Sequence, residues 1–135
     1  MTLLADLAEV PERLPSASLF TIWCGVFYAA NGLLLLAWPG AVQVLFGDPA
    51  FAGREEALVR LIGMLLAIVG WFYFFGGRTG GRQFVASTVL DRLVLVPLVL
   101  IPTALAGVFP NVMFTFAVVD PALALVSWRL LSRDS

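Results

Sequence analysis

A single carboxylate in the middle of a long apolar segment is the feature of this sequence with the clearest chemical consequence. Asp120 stands near the centre of residues 111–131, a segment long enough to cross a bilayer as a helix. A lone carboxylate at that depth costs at least about 2.5–3.5 kcal/mol, so it should face the protein interior and meet a cation, a donor or water there. The other apolar segments must supply that environment.

The spacing of side chains around Asp120 predicts which face of its helix is buried. Residues on the Asp120 face are small, whereas bulky residues lie on the other faces. The small residues are Ala117, Ala124 and Ser127, and the bulky ones are Phe114, Val118 and Leu125. Small residues allow helices to approach each other closely in a membrane, so Asp120 is predicted to point inward.

Polar residues in the other apolar segments are candidate partners for Asp120. We expect Asp120 to be ionised and paired with Arg60 or with Arg92. Asn31 is expected to supply a hydrogen bond, because Arg60, Asn31 and Asp120 fall about 8, 10 and 13 Å from one membrane face at 1.5 Å per residue. The predicted intramembrane polar cluster is Tyr28, Asn31, Glu56, Arg60, Asp91, Arg92 and Asp120.

Three kinds of function are compatible with such a cluster. Buried ion pairs can fix helix packing and do nothing else, or the cluster can line a pocket for a lipophilic ligand with a polar end. A membrane isomerase or cyclase could use Asp91 and Asp120 as acid and base, which requires one of them to be protonated at neutral pH. Glu56 and Arg60 can also simply pair with each other, one helical turn apart. No residue is assigned as catalytic.

Composition places the chain among polytopic membrane proteins. Of its 135 residues 61% are hydrophobic and only 13% are charged, with a mean hydropathy of +0.98. Soluble domains have about 25% charged residues. The net charge of −1 argues against nucleic-acid binding. The absence of His and the single Cys24 argue against zinc or haem sites of the usual kind, so no metal or cofactor is predicted.

The predicted fold class is all-α, with four transmembrane helices in an antiparallel bundle. Residues 1–15 are predicted to form a short amphipathic helix at the membrane surface, and residues 16–135 a single transmembrane domain. Pro97 and Pro102 should kink the third helix unless neighbouring helices satisfy the backbone groups left without hydrogen bonds. If the third span begins near Phe84, Asp91 and Arg92 lie about 10–12 Å deep, which is the placement we favour. If it begins only at Leu93, they mark its cytoplasmic end and the arginine reaches the membrane surface. The predicted spans are residues 18–38, 55–75, 83–107 and 111–131.

Arginine distribution predicts the orientation of the bundle. Five arginines flank the ends on the side of both termini, namely Arg13, Arg78, Arg82, Arg129 and Arg133, against Arg54 and Arg60 on the other side. The positive-inside rule therefore places both termini in the cytoplasm. Membrane lipids and a lipophilic small molecule are the expected partners.

Small-residue stripes suggest a further partner, a second copy of the chain. An oligomeric transporter or channel would need faces for close helix packing, and two stripes could provide them. The stripes are Gly25, Ala29 and Gly32 in the first span and Gly63, Ala67 and Gly70 in the second.

Several short motifs together resemble the BphX-like group of small four-helix bacterial inner-membrane proteins. They are residues 60–63 (RLIG), the aromatic end of the second span, the glycine-rich turn followed by residues 82–84 (RQF), residues 91–93 (DRL), and Asp120. The resemblance implies a four-helix bundle in a bacterial inner membrane and at most a link with apolar substrates. Short bundles of the DoxX family are similar as well.

Overall fold

The computed structural model describes residues 2–134. Met1 and Ser135, the outer ends of the predicted segments 1–15 and 16–135, lie outside the described residues. Regular secondary structure between Thr2 and Asp134 is entirely helical. The elements are α1 Leu3–Ala8, α2 Ser16–Ala37, α3 Ala41–Phe46, α4 Glu55–Gly77, α5 Arg82–Leu90, a π-helical turn Asp91–Leu95, α6 Val96–Leu105 and α7 Pro110–Arg133.

Four helical segments are long and apolar enough to cross a membrane. They are α2, α4, the continuous segment Arg82–Leu105 and α7, with 22 to 24 residues each. At 1.5 Å per residue they measure about 33–36 Å, slightly more than the roughly 30 Å of bilayer hydrocarbon. The protein is therefore an all-α, multi-pass membrane protein built as a four-helix bundle, as the sequence predicts.

Glycine backbones bring α2 and α4 into close contact. A Cβ atom added to Gly25 would lie 2.5 Å from the backbone nitrogen of Phe74, and one on Gly63 would lie 2.6 Å from that of Leu36. Real Cβ atoms do not approach backbone atoms so closely, so only glycine fits at these two positions. The predicted small-residue stripes are thus buried against each other within one chain, and the proposal that they form faces for oligomers was wrong.

The third span changes its helical geometry in the middle. At the π-helical turn the N–H of Val96 donates to the carbonyl of Asp91, five residues back. Pro97 follows at once and has no N–H to offer the preceding turn, which favours the wider turn over a regular one. The third span is therefore irregular at a π turn that holds Asp91 and Arg92, and the kink predicted at Pro97 and Pro102 stays a prediction.

The two ends of the bundle are packed differently. We call the end with Ser16, Gly77 and Arg82 the terminal half, and the end with Ala37 and Leu105 the loop half. In the terminal half α5 contacts α2, α4 and α7, whereas in the loop half α6 packs mainly on α7. A gap is left between α6 and α4 in the loop half.

A loop closes the far end of the loop half. α3 packs its buried Ala41 and Val42 against Phe109 and Val112, near the start of α7. Asp48 is 5% exposed and caps the N-terminus of α7, although it lies 63 residues before Asn111 in the sequence. Its two carboxylate oxygens accept hydrogen bonds from the N–H groups of Asn111 at 2.8 Å and Val112 at 3.1 Å. These bonds satisfy donors that a helix N-terminus otherwise leaves free.

Candidate functional site

Arg92 is the largest fully buried side chain among residues 2–134. It is 1% exposed and lies ten residues after Arg82, about 15 Å along its helix. Its guanidinium donates to the Thr88 carbonyl at 3.0 Å and to the Thr88 hydroxyl at 3.2 Å. It also donates to the Ser127 hydroxyl at 3.0 Å and to the Cys24 sulfur at 3.4 Å. The group therefore joins the third span to α2 and α7.

The ring of Tyr73 completes this enclosure from α4. The guanidinium carbon of Arg92 lies 5.3 Å from the ring centroid, within the range of a cation–π interaction. All four spans thus contribute a side chain to Arg92. Among the described residues, however, the guanidinium forms no ion pair with a carboxylate.

Each intramembrane aspartate instead accepts a hydrogen bond from a tyrosine. The Tyr28 hydroxyl donates to Oδ1 of Asp120 at 2.9 Å, and the Tyr73 hydroxyl donates to Oδ2 of Asp91 at 2.8 Å. The two tyrosine rings meet edge to face, 5.3 Å apart. The resulting polar cluster, which we call the inner cluster, consists of Cys24, Tyr28, Tyr73, Thr88, Asp91, Arg92, Asp120 and Ser127.

An apolar groove reaches Asp120 from the loop half. The groove has a volume of about 370 Å³ and lies between α4 and the third span, with α7 and α2 behind it. Several of its walls face outward, since Ile62 is 39% exposed, Leu95 58% and Val99 60%. Because these residues belong to membrane-spanning helices, the groove opens sideways toward lipid. Its other lining residues are Leu35, Leu66, Val96, Leu100, Met113, Phe116 and Asp120.

Among residues 2–134, Asp120 is the only charged residue in the groove lining, and only one of its two carboxylate oxygens accepts a hydrogen bond. The residue is 8% exposed, and Tyr28 bonds only Oδ1. No group between residues 2 and 134 donates to Oδ2. A carboxylate oxygen at the end of an apolar groove is a suitable acceptor for the polar end of a lipophilic molecule.

The predicted direction of Asp120 is confirmed, but its predicted partners were wrong. Ala117, Ala124 and Ser127 are buried with it, whereas Phe114, Val118 and Leu125 are 41%, 68% and 54% exposed. Asp120 forms no ion pair with Arg60 or Arg92 among the described residues. Tyr28, predicted only as a member of the cluster, is its hydrogen-bond donor.

Three residues of the predicted cluster lie away from it. Asn31 donates to the Phe27 carbonyl of its own helix at 2.8 Å, so it does not serve Asp120. Arg60 and Glu56 form an exposed ion pair at 3.5 Å, which is the simpler of the two interpretations of their spacing. Arg60 also donates to the Leu36 carbonyl at 2.7 Å. The prediction that Asn31 and Arg60 lie beside Asp120 rested on their similar depth in the bilayer. Depth does not specify in which direction each side chain points from its helix.

Sequence reasoning missed Tyr73 and Thr88. Tyr73 belongs to the aromatic end of the second span, yet it follows the buried Gly70 by three residues and therefore shares its inward face. Thr88 precedes Arg92 by four residues, the spacing at which helical side chains meet. Both spacings were visible once Gly70 and Arg92 were recognised as buried.

Comparisons with known proteins give no further constraint on this site. No family model, curated protein or solved structure matches the chain. Within residues 2–134 no three His, Cys, Asp or Glu side chains are grouped so that they could hold a metal ion. The resemblance to BphX-like or DoxX-like proteins stays a prediction, and the fold and the chemistry of the groove are the basis for assigning a function.

Proposed function

We propose that this protein binds a lipophilic small molecule in the groove between α4 and α6, with the polar end of the ligand against Asp120. The observation that carries the proposal is the unpartnered Oδ2 of a buried carboxylate at the end of an apolar groove. Ligand sites in proteins are concave, mostly apolar and furnished with a few polar groups, and their volumes run from about 300 to 1,000 Å³. The groove fits that description.

The rest of the polar cluster supports the site structurally. Tyr28 fixes the orientation of Asp120 through its hydrogen bond. Arg92 bonds side chains of α2 and α7 together behind it. A side chain held by neighbours in this way loses little conformational freedom when a ligand binds, which favours affinity. The inner cluster thus both packs the bundle and positions one acceptor in the groove.

Photolabelling in lipid tests this proposal directly. The probe is octadecanol with a mid-chain diazirine, in nanodiscs of phosphatidylcholine containing the purified protein. We expect adducts on Leu95, Val99 or Phe116, which line the groove, at several times the level found on the lipid-facing Val118. Met113→Trp should remove these adducts, because the larger side chain fills the groove.

Val118→Trp is the matched control for that substitution. It introduces the same side chain into α7, but at a position that is 68% exposed and outside the groove, so groove labelling should persist. Uniform labelling of lipid-facing residues that Met113→Trp does not alter would show that the groove is not a binding site. Native mass spectrometry from mild detergent should then also find no retained small molecule.

The cellular setting belongs to the same proposal. We infer a bacterial inner membrane from the resemblance given above, with both termini in the cytoplasm because arginines are concentrated at that end of the helices. Cysteines introduced at Ser132 and at Ala52 should be labelled by membrane-impermeant maleimide from opposite sides. Labelling of Ser132→Cys in intact spheroplasts would contradict the orientation.

A further inference from the structure

We propose that the groove prefers lipophilic molecules whose polar end is a cationic ammonium group. The inference rests on the proposed function and adds the charge of the ligand head group. It follows from the balance of charges in the middle of the bundle and from the directions in which those charged groups are bonded.

The charged groups of the inner cluster do not balance. Asp91 and Asp120 are its two acidic side chains and Arg92 its single basic one. Glu56 and Arg60 neutralise each other near the loop-half end of α4. With both aspartates ionised, the cluster is therefore one positive charge short. An uncompensated carboxylate in hydrocarbon is costly, so a cation brought into contact with it is strongly favoured.

Arg92, the basic residue of the inner cluster, is directed away from the groove. The guanidinium of Arg92 is occupied by Thr88, Cys24 and Ser127 and is covered by the ring of Tyr73. Arg92 does not belong to the groove lining. A ligand lying in the groove therefore meets the carboxylate of Asp120 without meeting a positive charge.

The geometry at Asp120 matches an N–H donor. Oδ1 is taken by the Tyr28 hydroxyl and Oδ2 has no donor among residues 2–134. An ammonium group carries donors and a positive charge together, and such charge-assisted bonds are about twice as strong as neutral ones. An alcohol can supply the hydrogen bond alone, and a carboxylate head can supply neither and is repelled by Asp120.

The test compares three probes that differ only in the head group. Octadecylamine, octadecanol and octadecanoic acid, each with the same mid-chain diazirine, are photolysed at pH 7 in phosphatidylcholine nanodiscs. Labelling of Leu95 and Val99 is divided by labelling of Val118, which corrects for the amount of each probe in the bilayer. Replacing a neutral hydrogen bond by a charged one gains about 1–1.5 kcal/mol, so the amine should exceed the alcohol by roughly five- to tenfold, with the acid lowest.

Asp120→Asn should reduce the ratio of amine to alcohol to near one, because the amide keeps the shape and an acceptor but loses the charge. Glu56→Gln is the matched control, since it removes an exposed carboxylate outside the groove, and should leave the ratio unchanged. If Asp120→Asn does not assemble, the three probes on the wild-type protein decide alone.

Two failures can be told apart. Groove labelling that Met113→Trp abolishes but that is equal for the three head groups would overturn the charge preference and leave the binding function standing. Labelling of the groove no higher than that of Val118 by any probe would overturn both. A preference for amine that survives Asp120→Asn would also overturn the inference, since it would assign the preference to another group.

Discussion

The two halves of the bundle use polar side chains for different purposes. In the terminal half α5 contacts all three of its neighbours, and Arg92 is bonded from several directions. In the loop half α6 is separated from α4, and the gap between these helices is lined by apolar residues and by Asp120. The difference teaches that burial of a charged residue does not by itself indicate a site. Arg92 already donates four hydrogen bonds within the bundle, whereas one oxygen of Asp120 has no donor among residues 2–134.

The two arginines Arg60 and Arg92 also differ between the halves in their burial and in their partners. Arg60 has a half-exposed side chain, at 46%, and pairs with Glu56 at the edge of the bundle. Arg92 is enclosed and has no carboxylate partner among the described residues. Removal of Arg92 should therefore destabilise the whole bundle, whereas removal of Arg60 should have almost no effect on stability.

The largest expected effect comes from Arg92→Ala. It removes bonds to three helices and leaves Asp91 and Asp120 without a nearby cation, so we expect a loss of about 3–5 kcal/mol in the free energy of unfolding. Unfolding by SDS in mixed micelles measures it. Arg60→Ala should cost less than about 1 kcal/mol, because exposed ion pairs contribute little. Equal losses for the two variants would remove the contrast between the halves.

Gly63→Ala should have the next largest effect. The new Cβ would lie 2.6 Å from the backbone nitrogen of Leu36, so α2 and α4 must separate, at about 1–3 kcal/mol. Gly81→Ala is the control, since its Cβ would meet only the Thr79 hydroxyl, at an ordinary 3.4 Å. The same SDS titration compares them. A cost confined to Gly81→Ala would mean that α2 and α4 do not pack as described.

Asp48→Ala should cost about 1 kcal/mol, as expected for the loss of a helix N-cap. The N–H groups of Asn111 and Val112 lose their acceptors, so their hydrogen exchange should accelerate. Asp48→Asn keeps one acceptor oxygen and should show a smaller change. Unchanged exchange at both amides in Asp48→Ala would rule out the cap and leave the end of the loop half without its closure.

The smallest effect concerns Asp134, whose carboxylate accepts bonds from the Ser16 hydroxyl and the Ala17 N–H, at 2.6 and 2.9 Å. The bond from Ser16 is the main reason that the pKa of Asp134 lies below its ordinary value of 3.8. A lowered pKa means that the carboxylate stabilises the fold fully above the unfolded-state pKa and ceases to do so as pH falls through the folded-state value.

Carbon-13 NMR of the Asp134 carboxyl group measures this titration. Ser16→Ala should raise the pKa toward 3.8 and slightly reduce the pH dependence of stability below about pH 4. An unchanged Asp134 curve in Ser16→Ala would assign the shift to another group.

The sequence was sufficient for the spans and for the inward direction of Asp120, because hydropathy and the placement of small residues report on these directly. It was not sufficient to identify the hydrogen-bond partner of Asp120. Arg60 and Arg92 are both compatible by depth, and the choice depends on the rotation of each helix about its axis. That rotation depends on the contacts of Gly25 and Gly63 and on the π turn, none of which hydrophobic periodicity reveals.

The groove was outside the reach of sequence reasoning for a related reason. The groove exists because α6 packs against α7 and is separated from α4. The residues that line it are as apolar as those that face lipid. Only Asp120 distinguishes it from the outer surface. A pocket for a lipophilic ligand could therefore be proposed from the sequence, but its walls could not.

The π turn Asp91–Leu95 sets which side chains of the third span form the wall of the groove. A turn closed by a bond five residues back contains one residue more than a regular turn, and one residue corresponds to a rotation of about 100°. If residues 91–95 formed a regular turn instead, Val96, Val99 and Leu100 would be rotated by that angle relative to α5 and would turn away from the groove. Deleting one residue within Asp91–Leu95 would remove the extra residue together with the wider turn, so α5 and α6 should keep their present faces. A deletion inside α6 has no such compensation and should rotate every side chain that follows it.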